Sequence, residues 1–185
     1  RFTQPRLGTA TVSVFTIERK DGINLSGEVV DVNGRLLELY ENRDQDSKGV
    51  EIDLRSRRFA NTVQVFWNLT ALTARIQEGD LMLRDREIPR SITGAGMMAA
   101  RWGFDLNVYW KYVSGYSSRR FAALPIDYPL GGFNTADLTL GRRFGMTKQT
   151  RLFAEVRNLA NTPYSTVVGY PDYGRRISIG MEYSF

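Results

Sequence analysis

Over most of its length this chain alternates apolar and polar residues one for one, and that period of two constrains its fold more than any other feature. Successive side chains of a strand point to opposite faces, so strict alternation builds a two-faced ribbon; a helix buried on one side needs apolar residues three and four apart. Eight segments carry the pattern. The first runs from Gly8 to Arg19, with Ala10, Val12 and Val14 against Thr11 and Ser13. The second, Leu36 to Arg57, ends with Val50, Ile52 and Leu54 against Glu51, Asp53 and Arg55. In the third, Asn61 to Ala74, Val63, Val65, Trp67 and Leu69 oppose Gln64, Asn68 and Thr70. Ser91 to Trp102 is a fourth, with small residues and the adjacent Met97 and Met98. Phe104 to Ser114 sets Phe104, Leu106, Val108, Trp110 and Tyr112 against Asp105, Asn107, Tyr109 and Lys111. Three more follow. Ala136, Leu138 and Leu140 oppose Thr135, Asp137 and Thr139; Leu152, Ala154 and Val156 oppose Arg151, Glu155 and Arg157. Finally Ile177, Ile179, Met181, Tyr183 and Phe185 oppose Arg176, Ser178, Gly180, Glu182 and Ser184. The expected fold is all-β.

The connections alternate in length. Short turns at Arg58-Phe59-Ala60, Trp102-Gly103 and Gly145 to Lys148 separate long polar loops at Glu18 to Arg35, Ile76 to Arg90, Tyr116 to Gly132 and Ala160 to Gly174. Short turns at one end and long loops at the other are the layout of an antiparallel up-and-down barrel in an outer membrane, whose strands of about 9–11 residues cross the hydrocarbon at a tilt. Charges of both signs in mid-strand suit a wet lumen but equally the outside of a soluble sheet. Aromatic residues toward the strand ends, namely Trp102, Phe104, Trp110, Tyr112, Tyr183 and Phe185, favour the barrel, because amphipathic rings settle at membrane interfaces.

Composition removes several chemistries. With no Cys and no His, a zinc finger, a haem site, a cysteine nucleophile or a Ser-His-Asp triad has no soft ligand or near-neutral base to work with. No apolar run approaches the length of a membrane-spanning helix. The pI is about 9.6, but the arginines are spread singly among acids rather than gathered, which argues against a nucleic-acid partner. Arg1-Phe2-Thr3-Gln4-Pro5 has no apolar signal-peptide core, and the expectation is that the chain starts inside a longer protein.

The segment Arg151 to Phe185 resembles the C-terminal end of TonB-dependent receptors, the plugged outer-membrane transporters of Gram-negative bacteria. The resemblance rests on Asn158-Leu159, Tyr164, Gly169-Tyr170-Pro171, Gly174-Arg175 and a last strand ending on the aromatic Phe185. Upstream, Lys48-Gly49-Val50-Glu51-Ile52 and Ile88-Pro89 extend it, so that it runs from about Ala10 to the end. It implies that residues 1–185 are the C-terminal part of a barrel of about 22 strands, whose plug and N-terminal strands are absent from this sequence. Eight strands must pair with others or close on themselves, since an unpaired edge in hydrocarbon costs several kcal/mol per group. A stand-alone eight-stranded barrel, acting as a passive pore or as a structural anchor of an envelope assembly, is the alternative.

The resemblance implies energised uptake of a scarce ligand of the ferric chelate, cobalamin or glycan class, with no bond chemistry and no cofactor. The implied partners are outer-membrane lipid, a periplasmic energy-coupling protein acting through the plug, the outer-membrane assembly machinery and the small-molecule ligand. Tyr116, Arg119, Arg120, Tyr128, Tyr170 and Tyr173, on the long loops, are the candidate ligand residues, because cations and rings capture anionic or planar molecules. The pattern Ser178, Gly180, Tyr183 and Phe185 resembles the signal read during outer-membrane assembly, by strand addition. Arg176 with Glu182, or Arg151 with Glu155, are expected to be lumen charges paired across strands or with a plug.

Overall fold

The computed structural model describes residues 1–118, 128–145 and 149–184. Its strands are β1 (Phe2–Gln4), β2 (Gly8–Val32), β3 (Arg35–Ser56), β4 (Val63–Glu78), β5 (Leu81–Arg84), β6 (Ser91–Arg101), β7 (Phe104–Val113), β8 (Tyr116–Ser118), β9 (Tyr128–Leu130), β10 (Phe133–Phe144), β11 (Thr150–Arg157), β12 (Ser165–Val167), β13 (Tyr170–Pro171) and β14 (Arg176–Tyr183). A 10-stranded sheet runs β1-β2-β3-β4-β6-β7-β10-β11-β14, with β5 attached to β4, and two small hairpins, β8-β9 and β12-β13, stand apart. All pairs in it are antiparallel. Among the described residues β1 and β14 do not meet, so the wall is open and the closed eight-stranded barrel is not formed.

The register sorts the side chains. Leu54, Trp67, Ala95, Trp110 and Ala136 lie in one cross-strand row, and Val65, Met97, Val108, Leu138, Val156 and Ile177 in another on the same face. The opposite face carries Asp53, Asn68, Gly94, Lys111 and Thr135 in one row and Asn107, Thr139, Glu155 and Ser178 in another. A one-residue slip at any strand would mix the faces. The apolar face is uncovered: Val14 is 82% exposed and Ile179 83%, and among the described residues the buried hydrophobic ones are Ala74, Val113 and Phe133. Total accessible surface is 13280 Å², against about 9,000 Å² for a compact protein of this mass. A soluble domain would hide that excess in a core; here it is a wall whose oily side faces outward, as in a membrane barrel.

Turn chemistry sets the hairpins. Asn33 (φ 55) and Gly34 (φ 80) join β2 to β3, and Trp102 (φ 54) and Gly103 (φ 83) join β6 to β7; two left-handed residues in a two-residue loop are the turn whose twist matches that of the strands. The long loop expected at Glu18 to Arg35 is therefore not a loop. It is the continuation of β2, 25 residues long, paired with β3 through two register shifts, at Arg19/Gly22 and Leu25/Val29. Those irregularities break the alternation and made the segment look unstructured. The loop expected at Ile76 to Arg90 contains β5, those at Tyr116 to Gly132 and Ala160 to Gly174 contain the small hairpins, and β1 adds a short strand ahead of Gly8. The eight long strands and the turns at Arg58-Phe59-Ala60 and Trp102-Gly103 otherwise stand where the pattern put them; the turn expected at Gly145 to Lys148 lies, beyond Gly145, outside the described residues.

Candidate functional site

At the long-loop end the connections fold together over the polar face. Asp85, buried at 7% exposure, receives the Glu87 N–H at 2.9 Å and the Gln45 amide at 3.4 Å, and its own N–H donates to the Ala74 carbonyl. The Ser117 N–H donates to the Arg86 carbonyl at 2.9 Å, and the Tyr116 hydroxyl donates to the Thr166 carbonyl at 3.1 Å. Two bonds thus link three connections. Burial of Tyr116 raises its phenol pKa above the usual tyrosine range.

The segment after β11 is built on Asn158, buried at 3% exposure. Its backbone adopts a left-handed φ of 52°, which asparagine tolerates better than most residues. Its N–H donates to Asp137 Oδ1 at 2.8 Å; its side chain donates to the Thr162 carbonyl at 2.8 Å and accepts from the Thr162 N–H at 2.9 Å. Asn161 (φ 53) accepts the Arg175 N–H at 2.9 Å on its side-chain oxygen, closing the far end. Between these anchors Tyr164 stacks on Phe133, ring centroids 4.2 Å apart, and its hydroxyl donates to Asp172 Oδ2 at 2.7 Å. Burial, reinforced by that hydrogen bond, pushes the Tyr164 phenol up to about 12.

This loop encloses a cavity of about 220 Å³ lined by Lys111, Asp137, Arg157, Tyr164, Asp172 and Arg176 among others. Asp172 Oδ1 is buried there with no hydrogen-bond partner. Arg157 is paired with Glu155 at 2.9 Å, whereas Lys111 and Arg176 have no carboxylate partner among the described residues. The cavity therefore brings the cations Lys111 and Arg176 together with the carboxylates Asp137 and Asp172, one acceptor unfilled, a set suited to a polar guest carrying a hydrogen-bond donor.

The four described candidate loop residues are not in its lining. Tyr116 is half-buried and holds the loops together, and Tyr128 is half-buried opposite Ser118. Tyr170 is 73% and Tyr173 87% exposed, and the Tyr173 ring has the Arg176 guanidinium 5.8 Å from its centroid. Arg119 and Arg120 lie outside the described residues. The residues that do converge, Lys111, Asp137, Tyr164, Asp172 and Arg176, come from strand positions and a loop that alternation does not rank. Of these Tyr164 carried a signal as part of the quoted motif, and Arg176 as an expected lumen charge.

The family comparison decides what this wall belongs to. The family "TonB dependent receptor-like, beta-barrel" matches residues 1–159. The chain belongs to that family. TonB-dependent receptors are outer-membrane proteins of Gram-negative bacteria, receptors and transporters rather than enzymes. No curated protein sequence matches the chain, but solved structures do. The copper transporter OprC superposes with a TM-score of 0.75 at 18% identity, covering 100% of this chain and 30% of that one. The ferric-catecholate import receptor Fiu from E. coli K12 gives 0.69 at 18%, covering 97% and 25%. The FrpB iron transporter from Neisseria meningitidis gives 0.70 at 14%, covering 100% and 30%. This chain spans about a third or less of those proteins. The motif-bearing stretch beyond residue 159 lies outside the family match, and structural likeness covers it.

At the short-turn end of this receptor wall the polar face holds a second cluster. Arg151 donates to both oxygens of Asp105, at 3.0 and 2.6 Å, and to Glu182 at 3.1 Å. It passes over Gly141, where a Cβ would lie 2.6 Å from the Asp105 carboxylate and 2.7 Å from the Arg151 Nε. Arg151 is thus a polar-face charge paired across strands, as expected, and its register partner is Glu182; Glu155 pairs instead with Arg157 on its own strand. Residues i and i+4 of a strand share a face but lie some 13 Å apart along it. In the terminal strand, Ser178 and Gly180 face the polar side and Tyr183 the other; Phe185 lies outside the described residues.

Proposed function

We propose that residues 1–185 are the C-terminal part of the barrel of an energised outer-membrane importer, with the plug and remaining strands supplied by the rest of the protein. The observation that carries this is the open wall: an antiparallel sheet with one face oily and exposed and the other charged, which needs further strands to satisfy both edges in lipid. In this reading the wall lines the import path, and a periplasmic coupling protein delivers energy through the plug. A metal complex or other scarce anionic or planar ligand is captured at the long-loop end. Lys111, Arg176 and Tyr164 supply the polar cavity, and Tyr116, Tyr128, Tyr170, Tyr173, Arg119 and Arg120 the approach to it. Ser178, Gly180, Tyr183 and Phe185 present the last strand to the assembly machinery.

The test is uptake by cells producing the full-length protein, supplied with radiolabelled ferric chelates, copper or cobalamin, with and without a protonophore. Accumulation that disappears with the protonophore, and falls when Lys111 and Arg176 are both changed to Gln, supports the proposal. Accumulation indifferent to the protonophore would point instead to a passive pore.

A further inference from the structure

At the short-turn end the oily face carries two arginines, among the described residues, that the transport reading does not use. Arg142 follows Leu138 and Leu140 at the same parity on β10, and Arg101 follows Met97 and Ala99 on β6; both are register partners of Phe104, one from each side. They sit at the short-turn end, which in such barrels is the periplasmic end. Arg142 lies 4.7 Å from the Phe104 ring centroid and 5.0 Å from that of Phe144, and Arg101 lies 4.0 Å from Trp102. Their outward neighbours at this level are Ala99, Leu106, Leu140, Thr150, Leu152 and Tyr183, none of them acidic.

A charge on the lipid side of a barrel is costly except near the interface. The aromatic rings mark where that interface is. From Phe104 to Tyr112 along β7, eight residues at the strand rise and a tilt of about 40° give a height of about 20 Å, close to the oily band of a barrel. Arg101 and Arg142 therefore fall at headgroup level. Their Cα atoms, two strand spacings apart, are about 10 Å from one another, near enough for two long guanidinium side chains to reach one phosphate between them. The rings flank the guanidinium groups, whose N–H groups have no hydrogen-bond or ion-pair partner among the described residues.

We propose that Arg101 and Arg142, seated on Trp102, Phe104 and Phe144, form a binding site for the phosphate of an anionic phospholipid headgroup at the periplasmic rim. The site rests on the apolar face being lipid-facing, but not on what the barrel transports. Arginine pairs with phosphate through two parallel hydrogen bonds, and each interfacial cation contributes about fivefold in affinity for an anionic lipid, about thirtyfold for the pair.

The test is native mass spectrometry of the full-length protein in detergent, titrated with phosphatidylglycerol or phosphatidylcholine. Wild type is expected to retain phosphatidylglycerol in preference to phosphatidylcholine. Arg142→Gln should weaken that retention about fivefold and the Arg101→Gln/Arg142→Gln pair about thirtyfold. Arg143→Gln, which removes the same charge from the opposite face one residue away, should leave it unchanged. Equal retention by the paired variant and wild type, an equal loss in Arg143→Gln, or no preference between the two lipids would overturn the site. A heat-shifted gel band confirms that each variant is folded, and the single variant carries the test if the pair is not. Loss of the site with uptake intact separates this proposal from the transport one.

Discussion

Gly180 offers a test that separates packing from signalling. An added Cβ there would stand 2.4, 2.7 and 3.1 Å from three ring carbons of Phe153, its register partner on β11. Non-bonded carbons prefer about 3.5–4.0 Å, so the ring must retreat by roughly 1 Å or swing to another rotamer. Overpacking of this kind costs about 1–3 kcal/mol. Gly180 has no positive φ, so alanine adopts the backbone freely and returns about 0.5–1 kcal/mol of chain entropy. Gly180→Ala is therefore expected to lose roughly 0.5–2 kcal/mol, read as a lower unfolding midpoint of the full-length protein in detergent. Phe153→Leu should relieve it: in the Gly180→Ala/Phe153→Leu cycle the coupling should recover most of that loss. If Gly180→Ala depletes folded protein from the membrane while Phe153→Leu recovers nothing, the glycine is being read by the assembly machinery and the packing argument is refuted.

Three other outcomes follow from the geometry. Leu138→Arg or Val156→Arg, on the oily face, should cost about 2–4 kcal/mol near the midplane, whereas Thr139→Arg, one residue away on the wet face, should be far milder; equal damage would reverse the assignment of faces. Asn158→Ala removes both side-chain bonds to Thr162, leaves polar groups there unpaired, and should cost about 1–3 kcal/mol, seen as faster proteolysis within 159–174 while the barrel band persists; an unchanged cleavage pattern would contradict the anchor. Tyr164, whose pKa is raised to about 12 from an ordinary value near 10, contributes stability that is complete below about pH 10 and is lost as pH rises through the folded value. Tyr164→Phe should remove a late step from the phenolate absorbance titration, and a loss confined to pH near 10 would refute the shift.

Alternation made the wall legible because it reports directly which side chains share a face. It placed Ser91 to Trp102 as a strand despite its small residues, and the structure explains those residues: Gly94 lies under Tyr109 and Gly96 under Phe66, each ring reaching across from a neighbouring strand. Where pairing slips, as at Arg19/Gly22 and Leu25/Val29, the parity of two changes and the outer half of β2 read as loop, although Asn33-Gly34 is the strongest short hairpin signal in the chain. The cavity was less legible. Lys111, Asp137 and Arg176 stand at ordinary wet-face positions, and only the return of the loop anchored at Asn158 turns them toward a common space. The exposed tyrosines stood out in sequence for their chemistry, but exposure alone does not bring residues together.

Beyond Gln45 the third strand drops away: β4 ends its pairing with β3 at Ile76, and from Arg43 to the Asn33-Gly34 turn the two arms, among the described residues, pair in the sheet only with each other. A ribbon of two strands is marginal by itself in water. Amide hydrogens there should exchange with solvent much faster than those of the central staves, the tip unzipping and closing many times during the life of one folded molecule. Such a tip is free to drift in sequence, since rewriting it costs the barrel almost nothing.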